Sequence, residues 1–305
     1  VTDTCPEIQG DTWSTFLGGW LNERLAVDTT GATIWTGVYL DCIWYDMAWL
    51  GTGPEYVDTD NDMSGEDPGS FNDQWQSGLD TLIESLRVSL PAQWRIMING
   101  DPETESLVHA PRVNGCLLEQ FPNKWDWDEY MMAYTAWDAG SASPAMHVID
   151  CSIIDEAPSP KTDYQLMRFG LTSCLMGNGY YGYDDGDRGH DKRWWYDEYD
   201  NVGQGKGYLG APVAGYTIQN GCWIRAFENG LAVCNPTESP VTVDLGGQYW
   251  KMLGTQDPVH NDGSAVTSLV VPGEDGYILL KTPPGPEQLT MSLEMSEDVF
   301  YPGDE

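Results

Sequence analysis

Four short apolar runs, each closing on a polar group, constrain this chain more than any other feature. They are Gly37-Val38-Tyr39-Leu40-Asp41, Arg95-Ile96-Met97-Ile98-Asn99, Gly115-Cys116-Leu117-Leu118-Glu119 and Met146-His147-Val148-Ile149-Asp150. Runs of this length that are apolar at nearly every position predict buried strands. Helical spacing fills the gaps between them. Residues 12–27 carry Trp13, Phe16, Leu17, Trp20, Leu21 and Leu25. Residues 71–90 carry Trp75, Leu79, Leu82, Ile83 and Leu86 on one face, and Pro91 stops that helix. Residues 126–139 read as a further helical stretch, and 164–176 as a helix or a helix–strand junction. Strand and helix in alternation predict a parallel α/β architecture.

The pattern changes after about residue 215. Short alternating runs follow (CWIRAFENG, LAVCNPT, PVTVDLGG, QYWKML, AVTSLVV, GYILLK), separated by turn signals such as Asn229-Gly230, Asn235-Pro236, Gly246-Gly247 and Asp262-Gly263. They predict a small antiparallel β-sandwich. The expected division is an α/β domain over 1–214, the sandwich over 215–282, and a linker with the start of a truncated further β domain over 283–305. The chain therefore reads as a fragment of a longer protein.

Charge excludes whole classes of function. Forty-eight acidic against fourteen basic side chains leave a net charge of −34. Nucleic-acid and anionic-lipid binding both need a basic face. No apolar run approaches the roughly 20 residues of a membrane helix. The chain lacks G-x-S-x-G, H-E-x-x-H and P-loop motifs. Its four His lack ligand spacing, and its seven Cys form no C-x-x-C pair, so most are expected to act as small hydrophobes. Neither a metal nor a cofactor is expected. Asp58, Asp60 and Asp62 have calcium-loop spacing, but Met63 and Gly69 stand where such a loop wants Gly and Glu. A solvated acidic loop is the expectation there, and Asp184, Asp185 and Asp187 form a similar acidic turn.

Polar groups at the carboxyl ends of parallel strands face a common mouth in a (β/α) barrel. Two carboxylates at one mouth are the apparatus of glycoside hydrolysis, one protonating the leaving oxygen and the other attacking the anomeric carbon or activating water. The 14 Trp and 16 Tyr fit sugar-stacking as well as core. The alternative is a catalytically silent carbohydrate-binding or surface-structural protein on the same scaffold. An isomerase or lyase is disfavoured by the scarcity of Lys before residue 124.

Several stretches carry a resemblance. They are TDTCPEIQGDTW, TGVYLDCIWYD, VDTDNDMSGED, IMINGD, GCLLEQF, WWYDEYDNVGQGKGYLGAP and FENGLAVCNPTESPVTVDLGGQYWKMLGTQDP. Over about residues 1–281 the chain resembles a family of hypothetical glycoside hydrolases with a TIM-barrel domain and a C-terminal β-sandwich. That resemblance implies a partial (β/α)8 TIM barrel. Its third strand would end at Thr2–Cys5, its fourth at Asp41, its fifth at Asn99, its sixth at Glu119 and its seventh near Asp150. The eighth would lie around 174–183, and the first strands would be missing. By the same resemblance Asp41 is the candidate nucleophile or base. Glu119 is the candidate acid, walled by Phe121 and Trp125. Asp46 is the rival to Asp41 and lines the cleft, with Asp150 in reserve. Asn99 would bond a sugar hydroxyl, and Trp44, Tyr45, Tyr180, Tyr181 and Tyr183 would stack on sugar rings. Residues 194–200 would pack a domain interface. The implied partner is a carbohydrate, and the implied location is extracellular or at the cell surface.

Overall fold

In a computed structural model the described residues are 7, 10–25, 34–51, 57–60, 62–100, 104–122, 126–152, 163–184, 195–199 and 205–285. Thr2–Cys5, Trp125, Asp185, Asp187 and residues 286–305 lie outside them.

The first part alternates as the sequence predicts. Helix α1 (Trp13–Leu25) precedes strand β1 (Gly37–Leu40), and α2 (Pro68–Ser89) precedes β2 (Arg95–Asn99). A 3-10 helix (Thr104–Arg112) leads to β3 (Gly115–Glu119). Then come α3 (Trp127–Gly140), β4 (Val148–Ser152), α4 (Asp163–Cys174) and β5 (Tyr180–Asp184). Local chemistry sets the boundaries. Asp67 caps α2 by accepting the Gly69 and Ser70 amides at 3.1 and 3.2 Å, with Pro68 in the first turn. Asp126 caps α3 through the Glu129 amide at 3.0 Å. Leu90, extended before Pro91, closes α2.

The five strands form one parallel sheet in the order β1-β2-β3-β4-β5. Its two faces differ. Ile96, Ile98, Cys116, Leu118 and Ile149 are buried in one cluster with Leu79, Leu82, Ile83 and Leu86 of α2, Met131, Tyr134 and Trp137 of α3, and Phe169 of α4. The alternate positions Tyr39, Met97, Asn99, Leu117, Glu119, Val148 and Asp150 are half-buried or exposed. Helices α2, α3 and α4 therefore all cover the same face. Helix α1 docks on α2 through Leu17, Leu21 and Leu25, while its aromatics Trp13, Phe16 and Trp20 point outward at 42–50% exposure. Its helical spacing thus holds two faces rather than one.

The second part adds β6 (Thr217–Gln219), β7 (Cys222–Ala226), β8 (Gly230–Asn235), β9 (Val241–Lys251), β10 (Ala265–Val271) and β11 (Asp275–Leu280). They form one curled antiparallel sheet, ordered β10-β9-β11-β8-β7-β6. Two details differ from the expected strands. Gly246-Gly247 does not separate strands: β9 runs through it, with Gly246 at φ 67° and the opposing register broken between Val266 and Ser268. A glycine in the left-handed region bends the strand without ending it. Strand β6 is additional. The curl brings the β6–β7 tip against β9, where Gln219 bonds the backbone of Asp244 on both its N–H and C=O, and Asn220 bonds the Thr242 carbonyl.

Strands β8 and β11 are buried on both faces. Leu231, Val233, Tyr277 and Leu279 point into the curl, whereas Ala232, Cys234 and Ile278 join the core under α4. Arg168 of α4 grips Asp275 of β11 with two bonds, 2.9 and 3.0 Å, and reaches Asp257 at 2.8 Å. Burial favours the neutral guanidine, but Asp275 and Asp257 outweigh it and raise the Arg168 pKa. Arg225 of β7 donates to the Leu175 carbonyl and the Asn178 side chain. Residues 195–199 seal the same seam. Asp197 accepts the Thr255 and Gln256 amides and pairs with Lys206, and Glu198 accepts from Asn261 at 2.8 Å. No helix among the described residues is long and apolar enough to cross a membrane.

Candidate active site

The carboxyl ends of β1, β2, β3 and β4 supply the site. Register fixes which side chains share the uncovered face: Tyr39 sits opposite Met97, Asn99 opposite Leu117, and Glu119 opposite Asp150. In parallel strands the positions facing one way repeat every second residue, so Tyr39 and Asp41 share that face with Asn99, Glu119 and Asp150.

One amide joins the two foremost acids. The Asn99 Nδ2 donates to Asp41 Oδ1 at 3.0 Å and to Glu119 Oε2 at 3.4 Å. Those two oxygens are therefore at most about 6.4 Å apart, the sum of the 3.0 and 3.4 Å bonds. Asp41 Oδ1 also accepts the backbone N–H of Cys42 at 3.0 Å. The chain beyond it is tied back to β2, because the Ile43 amide donates to the Asn99 carbonyl at 2.7 Å. Gly100 is required there: a Cβ would collide with the Ile43 carbonyl. Both acids precede a residue in the left-handed region, Cys42 and Gln120, each at φ 58°. Such a conformation costs a non-glycine residue on the order of 1 kcal/mol and is commonest where side chains are held for function.

Tyr39 completes the group, and the sequence reading missed it. Its side chain is 47% exposed on the same face. Burial, then the charges of Asp41 and Glu119, raise its pKa, with Asp150 adding to the effect and the Asn99 side chain opposing it. The phenol thus stays protonated. Its place two residues before Asp41 was the available signal. Cys42 was also missed. It is exposed, unlike the buried Cys116, Cys151, Cys174, Cys222 and Cys234, and burial together with Asp41 raises its thiol pKa.

Other expected residues stand apart. Asp46 accepts the Ala48 amide at 2.8 Å and the Asn72 side chain at 2.7 Å, which fixes the turn after β1. Trp44 packs edge-on against Trp49 at 5.5 Å, and Trp49 is 54% exposed. Tyr45 meets His109 edge-on at 6.4 Å. Tyr181 does not face the mouth. Its hydroxyl is buried against Gly170 of α4 and has no hydrogen-bond partner among the described residues. Tyr183 packs edge-on against Tyr196, whereas Tyr180 is exposed. Phe121 is not a wall for Glu119. It is fully buried, stacked on Tyr130 at 5.7 Å.

The acidic loop is a self-bonded turn. Asp58 accepts the Asp62 and Met63 amides, Asp62 accepts the Ser64 amide, and Met63 adopts φ 73°. Asp58, Asp60 and Glu66 have oxygens within 4.8 Å of one another, so a cation would find its ligands there among the described residues.

Carboxylates that converge at the ends of parallel strands, on an α/β sheet backed by helices, are the construction of a glycosyl-hydrolase-like protein. The chain belongs to such a family: the model of hypothetical glycosyl hydrolase family 15 matches residues 20–231, which include every residue of the group just described. No curated protein matches the chain.

Proposed function

We propose that the protein is a retaining glycoside hydrolase in which Asp41 is the nucleophile and Glu119 the acid/base. The observation that carries this reading is the shared amide of Asn99, which limits the Asp41 Oδ1 to Glu119 Oε2 separation to about 6.4 Å. Retaining pairs stand about 5–5.5 Å apart, whereas inverting pairs need about 6.5–9.5 Å to admit a water. In the proposed cycle Glu119 protonates the glycosidic oxygen as Asp41 attacks the anomeric carbon. Glu119 then deprotonates the water that releases the sugar. The donors on Asp41 Oδ1 suit an attacking carboxylate. Trp44 and Trp49 offer stacking surface a few residues beyond Asp41, and Asp150 lines the mouth beside Glu119.

The five strands are proposed as an arc of a (β/α)8 barrel. Sequential strand order, with the covering helices among the described residues on one face, supports this, because doubly wound sheets carry helices on both faces. The curled sheet is proposed as a sandwich-like domain that buttresses α4. Action on a poly- or oligosaccharide outside the cell is the setting proposed for it.

Aryl glycosides test the pair. Asp41→Asn loses hydrolysis of both 2,4-dinitrophenyl and alkyl glycosides. Glu119→Gln loses about 10²–10⁴-fold on alkyl glycosides but keeps most of its kcat/KM for the dinitrophenyl substrate, whose leaving group needs no proton, while kcat falls because the release of the sugar loses its base. Sugar binding without turnover in the wild type would favour the silent scaffold.

A further inference from the structure

The Asn99 side chain sits where a substrate contact was expected, yet its amide nitrogen is committed to protein. It faces Asp41 Oδ1 at 3.0 Å and Glu119 Oε2 at 3.4 Å. An attacking carboxylate accepts and does not donate, so the amide atom facing Asp41 must be the nitrogen. Asp41, Asn99 and Glu119 thus form one chain of bonds across three adjacent strands, and it runs through Asn99.

We infer that Asn99 is a positioning residue that sets the spacing of the two acids. This rests on the carboxylate-pair reading above. Two N–H groups from one rigid amide hold both at a fixed spacing, and each N–H satisfies one acid. Substrate hydroxyls then meet Asp41 and Glu119 at a set distance, instead of meeting Asn99.

The test uses the full chain and 2,4-dinitrophenyl glycosides. Asn99→Asp is nearly isosteric but replaces the donor nitrogen with an acceptor oxygen, so a packing role would survive it. The expected result is a kcat lowered about 100-fold, the cost of a misplacement on the order of 1 Å, with KM changed much less. In a crystal structure of Asn99→Asp the Asp41 Oδ1 to Glu119 Oε2 separation is expected to widen past the present ceiling.

Unchanged spacing together with an unchanged kcat in Asn99→Asp would overturn the inference. Asp41→Asn and Glu119→Gln belong in the same series. If Asp41→Asn is inactive and Glu119→Gln has a lowered kcat while Asn99→Asp is fully active, the carboxylate pair stands and only the positioning role falls. If both keep wild-type kcat, the pair itself falls, and the spacing in the crystal still decides whether Asn99 holds the two acids.

Discussion

At the scale of single residues, identity matters less than which oxygen each donor meets. Asp41 and Asp46 are five positions apart on one loop, and both are acids. Asp41 meets the Asn99 amide and the Cys42 N–H on the uncovered face, whereas Asp46 meets Ala48 and Asn72 and ties the turn to α2. Asp46→Ala is therefore expected to behave as the loss of a cap, costing about 1 kcal/mol in urea denaturation, whereas Asp41→Asn removes turnover with far less effect on the midpoint. A lower midpoint for Asp41→Asn than for Asp46→Ala would reverse these roles. The strand-end acids were legible because each closes an apolar run. Tyr39 was not, because inside GVYLD it reads as one more buried strand residue, and only the pairing with β2 reveals that its face is bare. Tyr181 failed in the opposite sense. Alternation alone does not say which half of a strand faces the helices, and Gly170 supplies the room that draws its ring under α4.

At the scale of elements, the parallel sheet and its helices were readable from periodicity, since apolar runs and helical spacing alternate without overlap. The curled sheet was readable as β but not in its strand breaks. Gly246-Gly247 has the composition of a turn, and only the pairing of β9 with β10 on both sides of it shows a bend within one strand. The joint between α4 and β11 was invisible in the sequence, because Arg168 and Asp275 are 107 positions apart. It carries a clear expectation. Arg168→Met leaves Asp275 buried without its cation and is expected to cost about 3–5 kcal/mol, whereas Arg168→Met with Asp275→Leu is expected to recover most of it. Urea denaturation of the two variants measures this, and equal losses in both would mean that the pair stabilises beyond its own desolvation.

At the scale of the whole molecule, a net charge of −34 acts on everything. Self-repulsion of that size opposes the compact state, so added salt is expected to raise the melting temperature until screening is complete near about 0.5 M. A flat or falling response would mean that ion pairs such as Arg168–Asp275 dominate over repulsion. Acid acts at the seam. Burial opposes ionisation of Asp197, but Lys206 and the Gln256 and Thr255 amides outweigh it and hold its pKa below the ordinary carboxylate value. A depressed folded-state value means stability that is present above the unfolded pKa, near about 3.9, and lost as pH falls through the folded value. The stability gap between wild type and Asp197→Asn is therefore expected to be widest near neutrality and to narrow as the pH drops below about 4. Thermal melts across that range test the sign, and a gap that widens in acid would contradict it.

The central claim is that Asp41 attacks and Glu119 assists. Trapping tests it most directly: the protein is incubated with 2,4-dinitrophenyl 2-deoxy-2-fluoroglycosides, digested, and its peptides are weighed. The account predicts one fluorosugar bound covalently to the peptide that contains Asp41, and none in Asp41→Asn. A sugar on Asp46 or Asp150, or hydrolysis that inverts the anomeric centre without any adduct, would contradict it.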